Sequence, residues 1–280
     1  MALPPTKQEM EKIFAPDVAL AGIDIENGFA PGGGLPISNA GEIVGVWNEI
    51  VSRFSADRVF MCKDFHPKGH YSFQQTHQDA KNVTLKQVDG LWVATWNLPD
   101  GTEHTQNVWP THCVEGTSDV EFIDGLIVPE GTKIYYKGRL LTVDSYGIAG
   151  DAHGRKFEKT EYEADMRALG IQHVIFMGLA LRFCVTFSAL QTQEMGIQSY
   201  VVLKGCRAID PHQTPEEMAA IVKELTDAGV IVVQSISDLD QIPVLWVGAN
   251  SQEDKSSSFA LSAEEVPVSA AGGAAPTTGQ

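Results

Sequence analysis

The sequence has no run of basic residues, no close pair of cysteines and no apolar stretch approaching the length of a membrane span. Lys and Arg number 20 against 36 Asp and Glu, a formal charge of -16. Nucleic acid and anionic membrane surfaces are therefore not expected as partners, because both need a basic footprint. Cys62, Cys113, Cys184 and Cys206 are scattered, without a C-x-x-C motif or a dense disulfide framework. Reduced thiols and a cytoplasmic location are the expectation. Residues Met1 to Glu11 show no signal-peptide apolar run, and the terminal Thr277-Thr-Gly-Gln280 matches no peroxisomal or retention signal.

What is present suffices for one large core. Of 280 residues, 43% are hydrophobic, which fits a single α/β domain without requiring two. Residues 1–16 read as a polar lead-in with one short helical possibility from Lys7 to Phe14, residues 17–248 as the domain, and residues 249–280 as a disordered tail poor in anything to bury.

Within the domain, short apolar runs alternate with helical patterns. Val18–Ile25, Arg58–Cys62, Lys133–Lys137, His173–Gly178, Ser199–Leu203 and Val230–Val233 read as six strands. Ile43, Val46, Trp47, Ile50, Val51 and Phe54 recur at helical spacing between about Ala40 and Phe54. Tyr162, Met166 and Leu169 mark a second helix closed by Gly170, and Arg182 to Met195 a third ended by Gly196. Thr214-Pro-Glu-Glu217 supplies an N-cap, a proline at N1 and a glutamate at N3 for a fourth. Val83 to Trp96 alternates about Asp89-Gly90, a hairpin signal that places an insertion at about residues 78–108. Gln241 to Val247 fits either an edge strand or a surface segment. The expected fold is a three-layer α/β/α sandwich on a mostly parallel six-stranded sheet, with the hairpin as an excursion.

The stretch Asp64-Phe-His66-Pro-Lys-Gly-His70-Tyr-Ser-Phe73 reads as a metal site in outline. Period-two alternation sends Asp64 and His66 to one side, and Pro67 and Gly69 turn the chain so that His70 swings back. One carboxylate with neutral imidazoles suits a single divalent ion, zinc first and iron or manganese next, better than calcium or magnesium. Spacing does not choose a further ligand among His77, His104 and His112.

Other strand ends also carry reactive groups. Asp24, Asp64 and Lys137 lie at three of them, and Cys184 follows a fourth; in a parallel sheet such ends share one edge. A cysteine in the first turn of a helix is biased toward thiolate, and a lysine beside it adds to that bias. Asp24 is a group able to take and return a proton, and Asp in a strand interior demands a partner. Each residue alone also has a plain structural reading, Cys184 as an inert buried thiol and Lys137 as a snorkelling chain.

Six pieces, in order, resemble the nicotinamidase (pyrazinamidase) branch of the isochorismatase-like cysteine hydrolases. They are Ile23-Asp24-Ile-Glu-Asn27-Gly-Phe29, the Lys63–Phe73 stretch, Trp109-Pro-Thr-His112-Cys113-Val with Glu115-Gly-Thr117, Tyr136-Lys137-Gly138, Asp144-Ser145-Tyr146, and Gly178-Leu-Ala180 leading to Cys184-Val185. The resemblance implies an amidohydrolase that converts nicotinamide to nicotinate and ammonia, a step of NAD salvage. It implies Cys184 as nucleophile, Asp24 as proton carrier and Lys137 as stabiliser of developing charge. Backbone N–H groups near Ala180 and Cys184 would form the oxyanion hole, with a non-proline cis peptide just before the nucleophile's helix. Asp64, His66, His70 and His112 would hold the metal, and Phe29, Trp109 and Tyr146 would wall the ring. A homo-oligomer is compatible with all of this.

Three departures accompany the resemblance. Leu181-Arg182-Phe183 stands where Thr-Asp and a variable residue are common, Glu26 where glutamine is frequent, and Gly147-Ile-Ala-Gly150 where Ser and an aromatic are common. Arg182 would lower the thiolate pKa further, receive a carboxylate from another amide or carbamoyl substrate, or disrupt the pocket rim, and a compensating pair with Glu26 is a further reading. A non-catalytic metal-binding descendant is the remaining alternative, against which the complete Asp24, Lys137 and Cys184 set speaks.

Overall fold

The computed structural model describes residues 13–78, 83–88, 91–210 and 213–247. The expected tail, most of the lead-in and the Asp89-Gly90 turn lie outside the described residues. Six strands form the central sheet: β1 (Val18–Ile23), β2 (Val59–Asp64), β6 (Lys133–Lys137), β7 (His173–Leu179), β8 (Gln198–Arg207) and β9 (Ile231–Val233). Their spatial order is β6-β2-β1-β7-β8-β9, and every pairing is parallel. The expected six strands are all present.

Alternation along β1 shows how the sheet takes two covers. Val18 and Leu20 enter one apolar cluster, while Ala19, Ala21 and Ile23 enter the other. The first cluster is sealed by α1 (Ile43–Val51), whose Trp47 is fully buried and donates its indole N–H to the Ile127 carbonyl at 2.7 Å. The second is covered by α3 (Tyr162–Ala168), α4 (Thr186–Glu194) and α5 (Pro215–Asp227). Thr214 caps α5 by accepting from the Glu217 N–H at 3.3 Å, as its sequence predicts.

The excursion is larger than a hairpin. β3 (Thr84–Val88) and β4 (Leu91–Asn97) pair as expected, and β5 (Glu103–Val108) adds a third antiparallel strand. The sequence of β5, Glu-His-Thr-Gln-Asn-Val, is too polar to signal a strand by apolar alternation. Trp96 and Val108 with Ala94 form a small core beneath this sheet, and the Trp96 indole donates to the Thr142 carbonyl at 2.9 Å. The excursion is thereby seated on the loop that follows β6.

Near the chain's end, a short helix α6 (Ile236–Leu239) and a single turn at Pro243–Leu245 replace the possible edge strand, so this segment packs along the surface. The expected helix from Arg182 begins instead as a π-helical turn, Leu181–Val185, before α4. α2 (Gln74–His77) is a single turn just after the histidine-rich stretch.

Candidate active site

The strand order makes the ends of β6, β2, β1 and β7 consecutive neighbours, so their terminal residues meet along one edge. Lys137 closes β6 and Asp64 closes β2, paired across the two strands. Asp24 comes one residue after β1 in a left-handed conformation, φ 49°, its N–H donating to the Cys62 carbonyl at 2.9 Å. At the end of β7, Gly178 has φ 138°, and a Cβ there would stand 1.9 Å from the Ile23 carbonyl oxygen. Only glycine lets β7 approach β1 so closely. The Leu179–Ala180 peptide that follows is cis, in the position the resemblance implies.

These turns bring a carboxylate, an ammonium and a thiol together. Lys137 Nζ lies 2.9 Å from Asp24 Oδ2 and 3.0 Å from Asp64 Oδ1, and it donates to Cys184 Sγ at 3.4 Å. Lys137 and Asp24 are wholly buried. Burial pushes Asp24 up to about 7, against the pull of Lys137. Burial would lower Lys137, but Asp24 and Asp64 outweigh it and hold the ammonium well above its ordinary range. Burial also raises the Cys184 thiol, with Lys137 opposing. The resting pair is therefore a neutral thiol beside an ammonium, with a carboxyl poised near neutrality to exchange its proton.

The histidine cluster lies on the other side of Asp64. His66 Nε2 and His112 Nε2 stand 3.0 and 3.3 Å from the same oxygen, Asp64 Oδ2. The Nδ1 atoms of the two rings point at carbonyls, Gly138 at 2.8 Å and Pro110 at 2.7 Å. If each Nδ1 carries the donated proton, two Nε2 lone pairs converge on a carboxylate oxygen, an arrangement that calls for a cation between them. Burial alone would lower His66, yet the charge of Asp64 and its hydrogen bond prevail and push the ring up to about 9, so a cation taking that position displaces a proton from Nε2. Asp64 is held well below the usual carboxylate range, since His66 and Lys137 overcome the effect of burial. One carboxylate oxygen and two imidazole nitrogens, mutually within 4.8 Å and all buried, fit a divalent ion.

His70 stands apart from that trio. Its ring stacks on His66 with centroids 4.2 Å apart, but Nδ1 meets the Ser72 hydroxyl at 2.7 Å and Nε2 the Leu140 carbonyl at 2.9 Å. Its ligand atoms group instead with His66 and Asp144. Asp144 received no role from the sequence, although it opens the Asp144-Ser145-Tyr146 motif. His77, by contrast, stacks against Trp96 with Nε2 2.5 Å from the Tyr71 carbonyl, and His104 meets Gln106 at 2.8 Å. Of the three histidines that spacing left open, His112 is the one beside Asp64.

A narrow pocket spans both halves. Phe29, Trp109, Tyr146 and Ala180 line it together with Asp64, His112 and Cys184. Leu35, Asp144, Phe183 and Ile209 also line it and were not foreseen. Leu35 lies in the Gly/Pro loop after β1 and Ile209 just past β8, so a search of strand-end loops had reason to include both. Phe183 meets Trp109 edge-on at 5.0 Å. Arg182 points elsewhere, pairing with Glu224 at 2.5 Å, and the Glu26 carboxylate accepts the Asp64 N–H at 2.8 Å. The suggested Glu26–Arg182 pair is thus replaced by two separate interactions.

A family model described as Isochorismatase domain matches residues 18–236. The chain belongs to the isochorismatase family. A nicotinamidase of Acinetobacter baylyi is 31% identical over 229 residues, covering 80% of this chain and 99% of that protein. The solved yeast nicotinamidase, bound to the inhibitor nicotinaldehyde, superposes with a TM-score of 0.67 at 25% identity, covering 78% of this chain and all of that one (100%). A pyrazinamidase of Pyrococcus horikoshii in complex with zinc gives 0.59 at 25% identity, covering 78% and 99%. Within this isochorismatase domain, the carboxyl ends of four neighbouring strands carry the buried ionisable groups, and the matched span runs from the start of β1 to the first residue of α6.

Proposed function

We infer that this chain is a nicotinamidase, hydrolysing nicotinamide to nicotinate and ammonia by way of a thioester on Cys184, as a step of NAD salvage. The observation that carries the reading is the single Lys137 ammonium, within 3.0 Å of both Asp24 and Asp64 and 3.4 Å from the Cys184 sulfur. It joins a thiol and its proton acceptor to the metal-ligating cluster at one pocket.

The residues divide the work as follows. Cys184 Sγ attacks the carboxamide carbon while Asp24 takes the thiol proton. Lys137 stabilises the sulfur as charge passes through it. Backbone N–H groups about Ala180 and Cys184 receive the oxyanion. Collapse breaks the C–N bond, and the nitrogen leaves as ammonia with the proton from Asp24. Asp24 then accepts a proton from water as the water oxygen adds to the thioester carbonyl, and the C–S bond breaks to release nicotinate and restore the thiol.

Phe29, Trp109 and Tyr146 hold the ring by its faces and edges. A divalent ion, zinc by preference given its imidazole and carboxylate ligands, would be held by Asp64, His66 and His112 with His70 behind them, and when bound it supplies an anchor for the pyridine nitrogen and water. The substrate is therefore a small neutral aromatic amide. The alternative of a carboxylate-bearing amide loses its main support, because Arg182 is engaged by Glu224 and is not among the pocket-lining residues.

Acid quenching during turnover followed by peptide mass spectrometry tests the chemistry. A nicotinoyl adduct on the Cys184 peptide is expected, and an adduct-free enzyme under conditions of active turnover contradicts the thioester.

A further inference from the structure

Glu158 lies outside the pocket, on the stretch between β6 and α3, yet its carboxylate is directed at the metal-ligating cluster through the backbone. Its Oε2 accepts the Gly138 N–H at 2.8 Å and its Oε1 accepts the Arg139 N–H at 2.9 Å. Both donors belong to the corner that follows β6. The carbonyl of that same Gly138 faces His66 Nδ1 at 2.8 Å. Gly138 adopts φ 67°, and a Cβ there would come within 2.5 Å of His66 Cε1, so the corner is packed directly on the imidazole.

Glu158 is itself fixed. Asp151, wholly buried, accepts the N–H groups of Phe157 and Glu158 on Oδ2 at 2.9 and 2.7 Å, and that of His153 on Oδ1 at 2.8 Å. The Asp151 N–H returns to the Glu158 carbonyl at 3.1 Å. This stretch is closed around one carboxylate, and it presents another to the corner.

We propose that Glu158 is a positioning residue for metal binding: its carboxylate fixes the Gly138–Arg139 corner, whose carbonyl sets the tautomer and ring orientation of His66. A charged acceptor spanning two adjacent N–H groups binds more strongly than a neutral one. Partners that orient a ligating histidine typically influence metal affinity about 10–100-fold. The inference rests on the reading of Asp64, His66 and His112 as metal ligands, and it assigns the strength of that site to a residue that contacts neither metal nor substrate.

The test is zinc affinity by chelator competition on metal-stripped full-length protein, with the thermal midpoint measured on the same samples. Glu158→Gln keeps the size but offers one oxygen to two donors. It is expected to bind zinc about 10–100-fold more weakly than wild type, while Lys159→Ala binds as wild type does. Glu158→Asp keeps both oxygens, is expected to fall between, and supplies the comparison if the glutamine variant does not fold. A lowered thermal midpoint with unchanged zinc affinity in these variants would assign Glu158 to bracing its loop and overturn the proposal. Zinc binding is read without substrate, so a wild type inert toward nicotinamide refutes the substrate reading and leaves this comparison standing. A wild type that binds no zinc removes the metal site and this proposal with it.

Discussion

At the scale of residues, the site depends on ionisable groups that tolerate burial only together. Lys137 balances two carboxylates in an enclosed environment, so removing its charge strands both. Lys137→Met is expected to destabilise the fold by about 3–5 kcal/mol, read as a lowered midpoint in chemical denaturation. An unchanged midpoint would mean that the carboxylates do not depend on the ammonium. Asp24 carries a different prediction. Its carboxyl is pushed up to about 7, so the form able to accept a proton grows as pH rises through that value. The acid limb of kcat/KM is expected to fall as pH drops below about 7 in enzyme with little metal, and a bound cation nearby moves the limb to lower pH. Asp24→Asn cannot accept the proton and should lose about 10²–10⁴-fold in kcat/KM. Activity close to wild type in that variant would remove Asp24 from proton transfer.

At the scale of elements, four neighbouring strands end along one edge while the turns after them set the geometry. The strands were legible because short apolar runs separated by helical patterns are what a doubly covered parallel sheet requires. Asp24, Asp64 and Lys137 stood out as polar residues at the ends of such runs. Other features left no comparable trace. β5 is polar on its exposed positions, and the π-helical turn around Cys184 has the composition of an ordinary helix. The choice of His112 over His77 and His104 came from resemblance, since the three differ only in where the excursion folds them. On one face of the sheet, α1 buries Trp47 with its indole N–H satisfied by the Ile127 carbonyl. Trp47→Ala is expected to cost about 3–5 kcal/mol, measured by denaturation, and a loss below about 1 kcal/mol would show that the loops around α1 collapse into the space.

At the scale of the whole molecule, one domain brings two kinds of chemistry to one pocket. Asp64 belongs to both, with one oxygen toward Lys137 and the other toward the histidines. On the proposed mechanism, that sharing would link substrate placement at the histidines to the covalent steps at Cys184. Among the described residues no helix is long and apolar enough to cross a membrane. The three-stranded excursion meets the site through Gln106, which donates to Asp144 at 3.3 Å, so it is packed against the pocket rather than appended to the domain.

The measurement that tests this account most directly is ammonia released from nicotinamide, with metal content determined on the same sample, for wild type, Cys184→Ala and His112→Ala. The account predicts release by wild type carrying about one divalent ion per chain, none by Cys184→Ala with its metal retained, and reduced metal together with reduced release in His112→Ala. Wild-type protein with metal bound and no ammonia from nicotinamide, or undiminished release from Cys184→Ala, would contradict it.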